Sequence, residues 1–235
     1  MNEVEHLKHA AAARALEYVG NGMRLGLGSG TTAEAFLDLL GARVRGGLDV
    51  VGVPTSERTA QKARALGIAL ANLNDAAPLD LAIDGADESD RRLDLIKGGG
   101  GALLREKVVA TASKRMIVII HGDKLVDTLG AFPLPVEVLE FGHAVTASHL
   151  AAGIADLGYP KTTVTLRRRP DGSLYKTDNG NVIYDCAFGV IHDTALLSRV
   201  LSCITGVIEH GLYVGVARTL VIARPEGIEV IERAG

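Results

Sequence analysis

The chain has 235 residues, 47% of them hydrophobic, with 25 Lys plus Arg against 28 Asp plus Glu and a formal net charge of −3. That supplies apolar matter for one large domain or two modest ones, and it leaves no overall charge excess for nucleic acid or a membrane surface, so an anionic ligand must be met by a local site. Two cysteines without CxxC spacing, no run approaching 18 apolar residues and no cationic leader-like opening lead us to expect a cytoplasmic protein with two core or near-core thiols, Cys186 and Cys203, and neither disulfides nor a membrane partner.

In chain order, Leu7 to Val19 has helical spacing and Met23 to Leu27 is a short apolar run ending among glycines. A helix over Thr32 to Leu40, a strand over Val50 to Val53, a helix over Ser56 to Leu66 and a strand over Leu79 to Ile83 follow. Next come KGGGG, a helix over Leu103 to Ser113 and the β-branched run Arg115 to Ile120. Repeated βα units with near-continuous apolar strands predict an α/β fold, a doubly wound, mainly parallel Rossmann-like sheet with helices on both faces. Past residue 130 the pattern changes. FPLP at 132–135 precedes a strand over Val136 to Leu139, a helix over Ala147 to Leu157 and a strand over Thr162 to Leu166. After a ProAspGly turn come a strand over Val182 to Cys186, a helix over Thr194 to Ile204 and a strand over 211–216. We expect a catalytic domain from 1–130 and 206–235, rejoined by Leu220 to Ile222 and Ile228 to Ile231, and a smaller α+β (ferredoxin-like) domain over 131–205.

Ligands of doubly wound sheets bind beyond the carboxyl ends of the strands. After the first strand stands GLGSGTTA (26–33), where Ser29, Gly30, Thr31 and Thr32 open a helix. This suits a phosphate cradle, or equally a Ser/Thr helix cap. It is not the dinucleotide fingerprint, because Thr31 occupies the third glycine's place, and it lacks the GK[ST] of a P-loop. IDGADE (83–88) puts Asp84 and Asp87 at a strand end, around Gly85 and Ala86. Such a pair can handle hydroxyl protons, ligate a metal or cap a loop. Lys97, Glu106 and Lys124 would each be ordinary surface residues alone.

Together, GLGSGTTA, DGADE, KGGGGALLREK (97–107), FPLPVEV (132–138) and TDNGNVI (177–183), in this order, resemble ribose-5-phosphate isomerase of the A type over nearly the whole chain. The resemblance implies an aldose-ketose isomerase interconverting D-ribose 5-phosphate and D-ribulose 5-phosphate in the non-oxidative pentose phosphate pathway. It needs no metal and no other cofactor, its partner is a small sugar phosphate, and it is a homodimer or homotetramer in which the smaller domain takes part in oligomerisation. By the same resemblance Glu106 is the base that moves a proton between C1 and C2 through an enediolate, with Lys97 and the N–H groups of Gly98, Gly99 and Gly100 stabilising the oxyanion. Asp84 and Asp87 open the ring and shuttle hydroxyl protons. Ser29 to Thr32 meet the substrate, most naturally its phosphate, with Lys8 and Lys124 lining the same pocket and Gly85 and Ala86 beside it.

His121 departs from the family, which usually has Asp in IleAlaAsp three residues before the pocket lysine; Asp123 is the nearest carboxylate able to replace it in orienting Lys124. HLKH (6–9) reads as a solvated helix face, and RRR (167–169) as the cationic edge of a hairpin. A sugar-phosphate sensor would need a helix-turn-helix region for which the first ~20 residues leave no room. A nucleotide-dependent oxidoreductase would need the missing third glycine.

Overall fold

The computed structural model describes residues 2–233. It begins with α1 (Glu3–Leu16), started by a capping box in which Asn2 Oδ1 accepts from Glu5 N–H and Glu5 Oε2 from Asn2 N–H, both at 2.9 Å. Alternating units follow: β1 (Met23–Leu27), α2 (Thr31–Arg45), β2 (Val50–Pro54), α3 (Glu57–Ala65), β3 (Ala69–Leu70), the single turn α4 (Leu73–Ala76) and β4 (Leu81–Gly85). Short strands β5 (Glu88–Ser89) and β6 (Leu95–Ile96) lead to α5 (Leu103–Thr111) and β7 (Met116–His121), then a 3-10 turn over Gly122–Lys124. The remainder is β8 (Leu134–Val138), α6 (His143–Asp156), β9 (Thr163–Leu166), β10 (Val182–Ala187), α7 (Thr194–Ser202), β11 (Val207–His210), β12 (Leu212–Tyr213), β13 (Thr219–Arg224) and β14 (Gly227–Glu232).

Seven strands form the main sheet in the order β14-β13-β7-β4-β1-β2-β3, parallel except for β14, which returns antiparallel on β13. β7 shows why its apolar run reads as continuous: all six of its residues are buried. Ile117 and Ile119 meet Leu25, Ile83 and the helical Ala15, Phe36 and Leu40 on one face. Met116, Val118 and Ile120 meet Ala110, Tyr213 and Leu220 on the other, the period of two that a strand imposes. At about 1.5–3 kcal/mol for each buried Leu, Ile or Phe side chain, these two layers hold the two-residue strands in place rather than the reverse.

The second sheet is antiparallel, ordered β11-β8-β10-β9. Leu150, Ile154, Leu197 and Leu201 of α6 and α7 pack onto Val136, Val138, Val182 and Cys186, completing the β-α-β-β-α-β ferredoxin-like arrangement. The boundary expected from the sequence is displaced. The return does not begin at residue 206, because Val207–His210 still pairs with β8 in the smaller sheet. Its half-polar IEH pattern, bounded by Gly206 and Gly211, offers no apolar run to mark it. The chain crosses back only after β11, and the strand expected over 211–216 shrinks to Leu212–Tyr213, paired with β6 in a ribbon with β5. Residues 1, 234 and 235 of the expected catalytic segments lie outside the described residues. Cys186 is buried as expected, but Cys203 is exposed at the end of α7.

Strand order reverses between β1 and β4, the switch point where a crevice opens. There the chain leaving β1 reaches Gly28, whose N–H donates to Ile83 O at 3.0 Å. A Cβ on Gly28 would lie 2.2 Å from Asp84 Oδ1 and 2.6 Å from Asp84 Cα. Gly28→Ala is therefore expected to destabilise the fold by about 2–3 kcal/mol, the upper part of the overpacking range, because backbone rather than a flexible tip must yield. Urea unfolding of the variant checks this; an unchanged midpoint contradicts it.

Candidate active site

One cleft, open to solvent, gathers Lys8, Ser29, Gly30, Thr31, Thr32, Gly85, Ala86, Asp87, Lys97, Gly98, Gly99, Gly100, Glu106 and Lys124 with Ile120 and His121. These come from α1, the β1–α2 turn, the end of β4, the glycine loop, α5 and the end of β7. Asp84 alone of the expected residues stands behind the cleft, 3% exposed, where it lines a small void with Gly28 and Glu106.

The floor of the cleft is a buried charge cluster. Lys97 Nζ lies 2.9 Å from Asp84 Oδ2 and 3.5 Å from Glu106 Oε2, and it donates to Gly85 O at 2.6 Å. Asp84 Oδ1 accepts from the N–H groups of Gly85 at 2.8 Å and Ser29 at 3.1 Å. Glu106 Oε2, by contrast, has no hydrogen-bond partner among the described residues. Burial opposes the charge on Lys97, but Asp84 and Glu106 outweigh it and hold the ammonium above its usual range. Burial pushes Glu106 up, the charge on Asp84 adds to this, and Lys97 reverses only part of it, so the carboxyl titrates at about 8 instead of 4.5. Burial also raises Asp84, against Lys97 and the two backbone N–H groups. One ammonium cannot neutralise both carboxylates. Asp84 has the shorter contact and two further donors, so Glu106 is the group that retains a proton.

Asp87 belongs to the cleft proper, and its Oδ2 accepts from Gly99 N–H at 2.8 Å. The sequence suggests a joint role for Asp84 and Asp87; the geometry separates them into a buried partner of Lys97 and a carboxylate facing the cleft.

At the opposite end, α2 begins at Thr31 with no side-chain cap, and Gly30, Thr31 and Thr32 line the cleft, which sets the positive dipole end of the helix at its wall. Lys8 Nζ donates to Thr31 Oγ1 at 2.8 Å, while Lys124 lines the cleft with its Nζ 5.7 Å from the Phe132 ring. The Ser29 hydroxyl turns instead into a cluster with Thr55 and Ser56 at 2.8 Å and Thr59 at 3.0 Å. Asp123 does not orient Lys124, since its side chain is 89% exposed and lies 3.6 Å from His121 Nδ1. Burial lowers the His121 pKa; Asp123 opposes this while Lys124 and Lys8 reinforce it, leaving a neutral imidazole beside the two lysines.

Sequence reasoning missed the supports of the site. Residues 167–169 do form one arm of the expected hairpin, with Arg168 bridged to Leu174 and Arg169 N–H donating to Ser173 O, but the Arg167 side chain turns inward to Asp185 and the glycine loop, while Arg168 bonds back to Gly172 O within the turn. Nothing in RRR distinguishes these positions. TDNGN proves to be a bracket. Thr177, Asn179 and Asn181 donate to Oε1 of the fully buried Glu137. Asp178 accepts from Glu57 N–H at the start of α3, and Arg105, next to Glu106 on α5, bonds Asn179, the Asp178 carbonyl and Glu57. Among the described residues no three His, Cys, Asp or Glu side chains gather as metal ligands would, and no helix is long and apolar enough to cross a membrane.

Residues 51–227 match the family described as ribose 5-phosphate isomerase A (phosphoriboisomerase A). The chain is 56% identical over 227 residues to a ribose-5-phosphate isomerase A of Parvibaculum lavamentivorans, covering 96% of this chain and 97% of that one. It is 53% identical over 234 residues to that of Brucella suis, with 100% of each covered. Among solved structures it is similar to a D-ribose-5-phosphate isomerase in complex with phospho-erythronic acid, at TM-score 0.90 and 37% identity over 99% of this chain and 100% of that one. The ribose 5-phosphate isomerase of Plasmodium falciparum superposes at TM-score 0.93 with 35% identity over 98% and 100%.

Proposed function

The chain belongs to the ribose-5-phosphate isomerase A family and interconverts D-ribose 5-phosphate and D-ribulose 5-phosphate; from that premise we propose how its residues carry the reaction. The phosphate occupies the α2 end, met by the first-turn N–H groups, Thr31, Thr32, Lys8 and Lys124, which puts the far end of the open-chain sugar at the charged floor. Ser29 acts through its backbone, because its hydroxyl is already engaged. Glu106, as carboxylate, takes the C2 proton while O1 gains one, and the resulting enediolate is held by Lys97 and the N–H of Gly100. Glu106 then returns its proton to C1 as O2 gives one up, so atoms balance without an external acid. Asp87 opens the ring and carries the hydroxyl proton between O1 and O2. Asp84 keeps Lys97 charged and aimed. The observation that carries this reading is Glu106 itself: a carboxyl raised to about 8, with an oxygen lacking any hydrogen bond, 3.5 Å from an ammonium. Phospho-erythronic acid, held by one relative, is a phosphorylated sugar acid, the class of ligand this reading places in the cleft.

Because the base must be ionised, kcat/KM is expected to fall as pH drops through about 8, roughly tenfold per pH unit below it. A profile from pH 5 to 9.5 checks this, and an acid limb at the ordinary carboxylate value contradicts it. Stability follows the same sign. A raised carboxyl pKa contributes stability fully present below 4.5 and lost as pH rises through about 8.

Residues 2–130 and 211–233 form the catalytic unit and 131–210 the smaller one, the boundary falling where β11 ends. This smaller unit joins copies of the chain in a homodimer or homotetramer, a reading supported by Phe141, 88% exposed, and Val145, 61% exposed. The enzyme works in the cytoplasm.

A further inference from the structure

The peptides of the glycine loop are held from outside the catalytic cluster. Arg167, following β9, pairs with Asp185 of β10 through Nε at 2.9 Å and through Nη2. Its remaining nitrogen, Nη1, donates to both Gly98 O and Gly99 O at 3.1 Å. The hydroxyl of Tyr175 donates to Gly100 O at 3.0 Å. All three carbonyls of Gly98, Gly99 and Gly100 are thus claimed by side chains of the smaller sheet and its adjoining hairpin. The turn is closed by Gly101 N–H donating to Gly98 O at 2.9 Å. Gly101 itself has φ +83, and a Cβ on it would lie 2.1 Å from the Tyr175 hydroxyl oxygen.

A planar trans peptide points its C=O and its N–H in opposite directions. Fixing Gly98 O on Arg167 therefore fixes Gly99 N–H on the other side, where it meets Asp87 Oδ2 at 2.8 Å. Fixing Gly99 O on the same guanidinium turns Gly100 N–H to that side too, and Gly99 and Gly100 both line the cleft. Rotation of the Gly98–Gly99 peptide would put a carbonyl oxygen where Asp87 needs a donor, a repulsive arrangement. Four glycines do not choose between these orientations, since glycine populates either readily.

We propose that Arg167, locked by Asp185, is a positioning residue for the isomerisation: it sets the peptide orientation of Gly98 to Gly100, and so holds Asp87 and presents Gly100 N–H to the reacting end of the sugar. This rests on the assignment of Asp87, Lys97 and Glu106 to that end. The smaller sheet then serves catalysis directly and does more than supply a surface.

The test uses full-length Arg167→Lys and Tyr175→Phe beside Glu106→Gln. Lysine keeps the charge but cannot reproduce the bidentate pair with Asp185 and the two carbonyl bonds together. Arg167→Lys is expected to lower kcat about 10–100-fold, with KM for ribose 5-phosphate and the inhibition constant of inorganic phosphate each within about threefold of wild type, because the phosphate end is untouched. Tyr175→Phe, losing one of three carbonyl contacts, is expected to lower kcat by less, about threefold to tenfold. Folded Arg167→Lys with kcat within twofold of wild type overturns the proposal. So does a loss that falls equally on phosphate inhibition, which marks general disruption of the cleft. If Arg167→Lys does not fold, Tyr175→Phe decides alone, and unchanged kcat there overturns it. Normal turnover by Glu106→Gln would remove the site assignment beneath it, whereas an inactive Glu106→Gln beside a normal Arg167→Lys would remove only this inference.

Discussion

Glu106→Gln is expected to reduce kcat for ribose 5-phosphate by about 10²–10⁴-fold or more, the range a positioned general base supplies, while a substrate analogue binds within about tenfold of wild type. Glutamine keeps the volume and the packing of α5 but cannot accept the C2 proton. Contacts at the α2 end, from Thr31, Lys8 and Lys124, are unchanged, so ground-state binding survives. The same variant is expected to be more stable than wild type above pH 8, because a buried carboxylate that the fold holds protonated up to about 8 is replaced by a neutral group. Steady-state kinetics, analogue titration and thermal unfolding at pH 9 check the three parts separately.

Lys97→Met is expected to be the most damaging single change in the site. Lys97 is 2% exposed and is the cation of a cluster with Asp84 and Glu106. Removing one partner of a buried pair leaves an uncompensated charge and costs about 3–5 kcal/mol. Without the ammonium both carboxyls titrate still higher, so the loss is smallest at acid pH, where they are protonated, and grows as pH rises through neutrality and beyond. Losing the enediolate donor adds a fall in kcat of about 10²–10³-fold. Urea unfolding at pH 6 and pH 9 measures the first effect. A variant equally stable at both pH values would mean that Lys97 does not carry the cluster's charge balance.

How far the sequence discloses this molecule depends on whether a feature rests on a local or a distant cause. β7 is legible because both faces of a parallel sheet are covered, which makes MIVIIH apolar throughout. The β1–α2 turn is legible because close approach to Asp84 demands a glycine at 28. Glu106 is different. In LLREK its neighbours allow an exposed, ion-paired helix position, and only the packing of α5 over the end of β4 buries it against Lys97. Family resemblance, not residue pattern, identifies it. β11 escapes a sequence reading because a half-polar edge strand has no continuous apolar run. Arg167 escapes it because its partners, Asp185 and the carbonyls of Gly98 and Gly99, are brought to it by sheet pairing and not by sequence proximity. His121 is visible as a departure, but that Asp123 faces it instead of Lys124 depends on the turn over Gly122–Lys124.

The most direct test of the central claim follows the proton. Ribose 5-phosphate is incubated in deuterium oxide with wild type and with Glu106→Gln, and the deuterium content at C1 of ribulose 5-phosphate is read by NMR as product forms. Wild type is expected to form product with deuterium entering at C1 through exchange on the Glu106 carboxyl, and Glu106→Gln to show neither product nor label. Wild-type rates of turnover and labelling in Glu106→Gln would contradict the account.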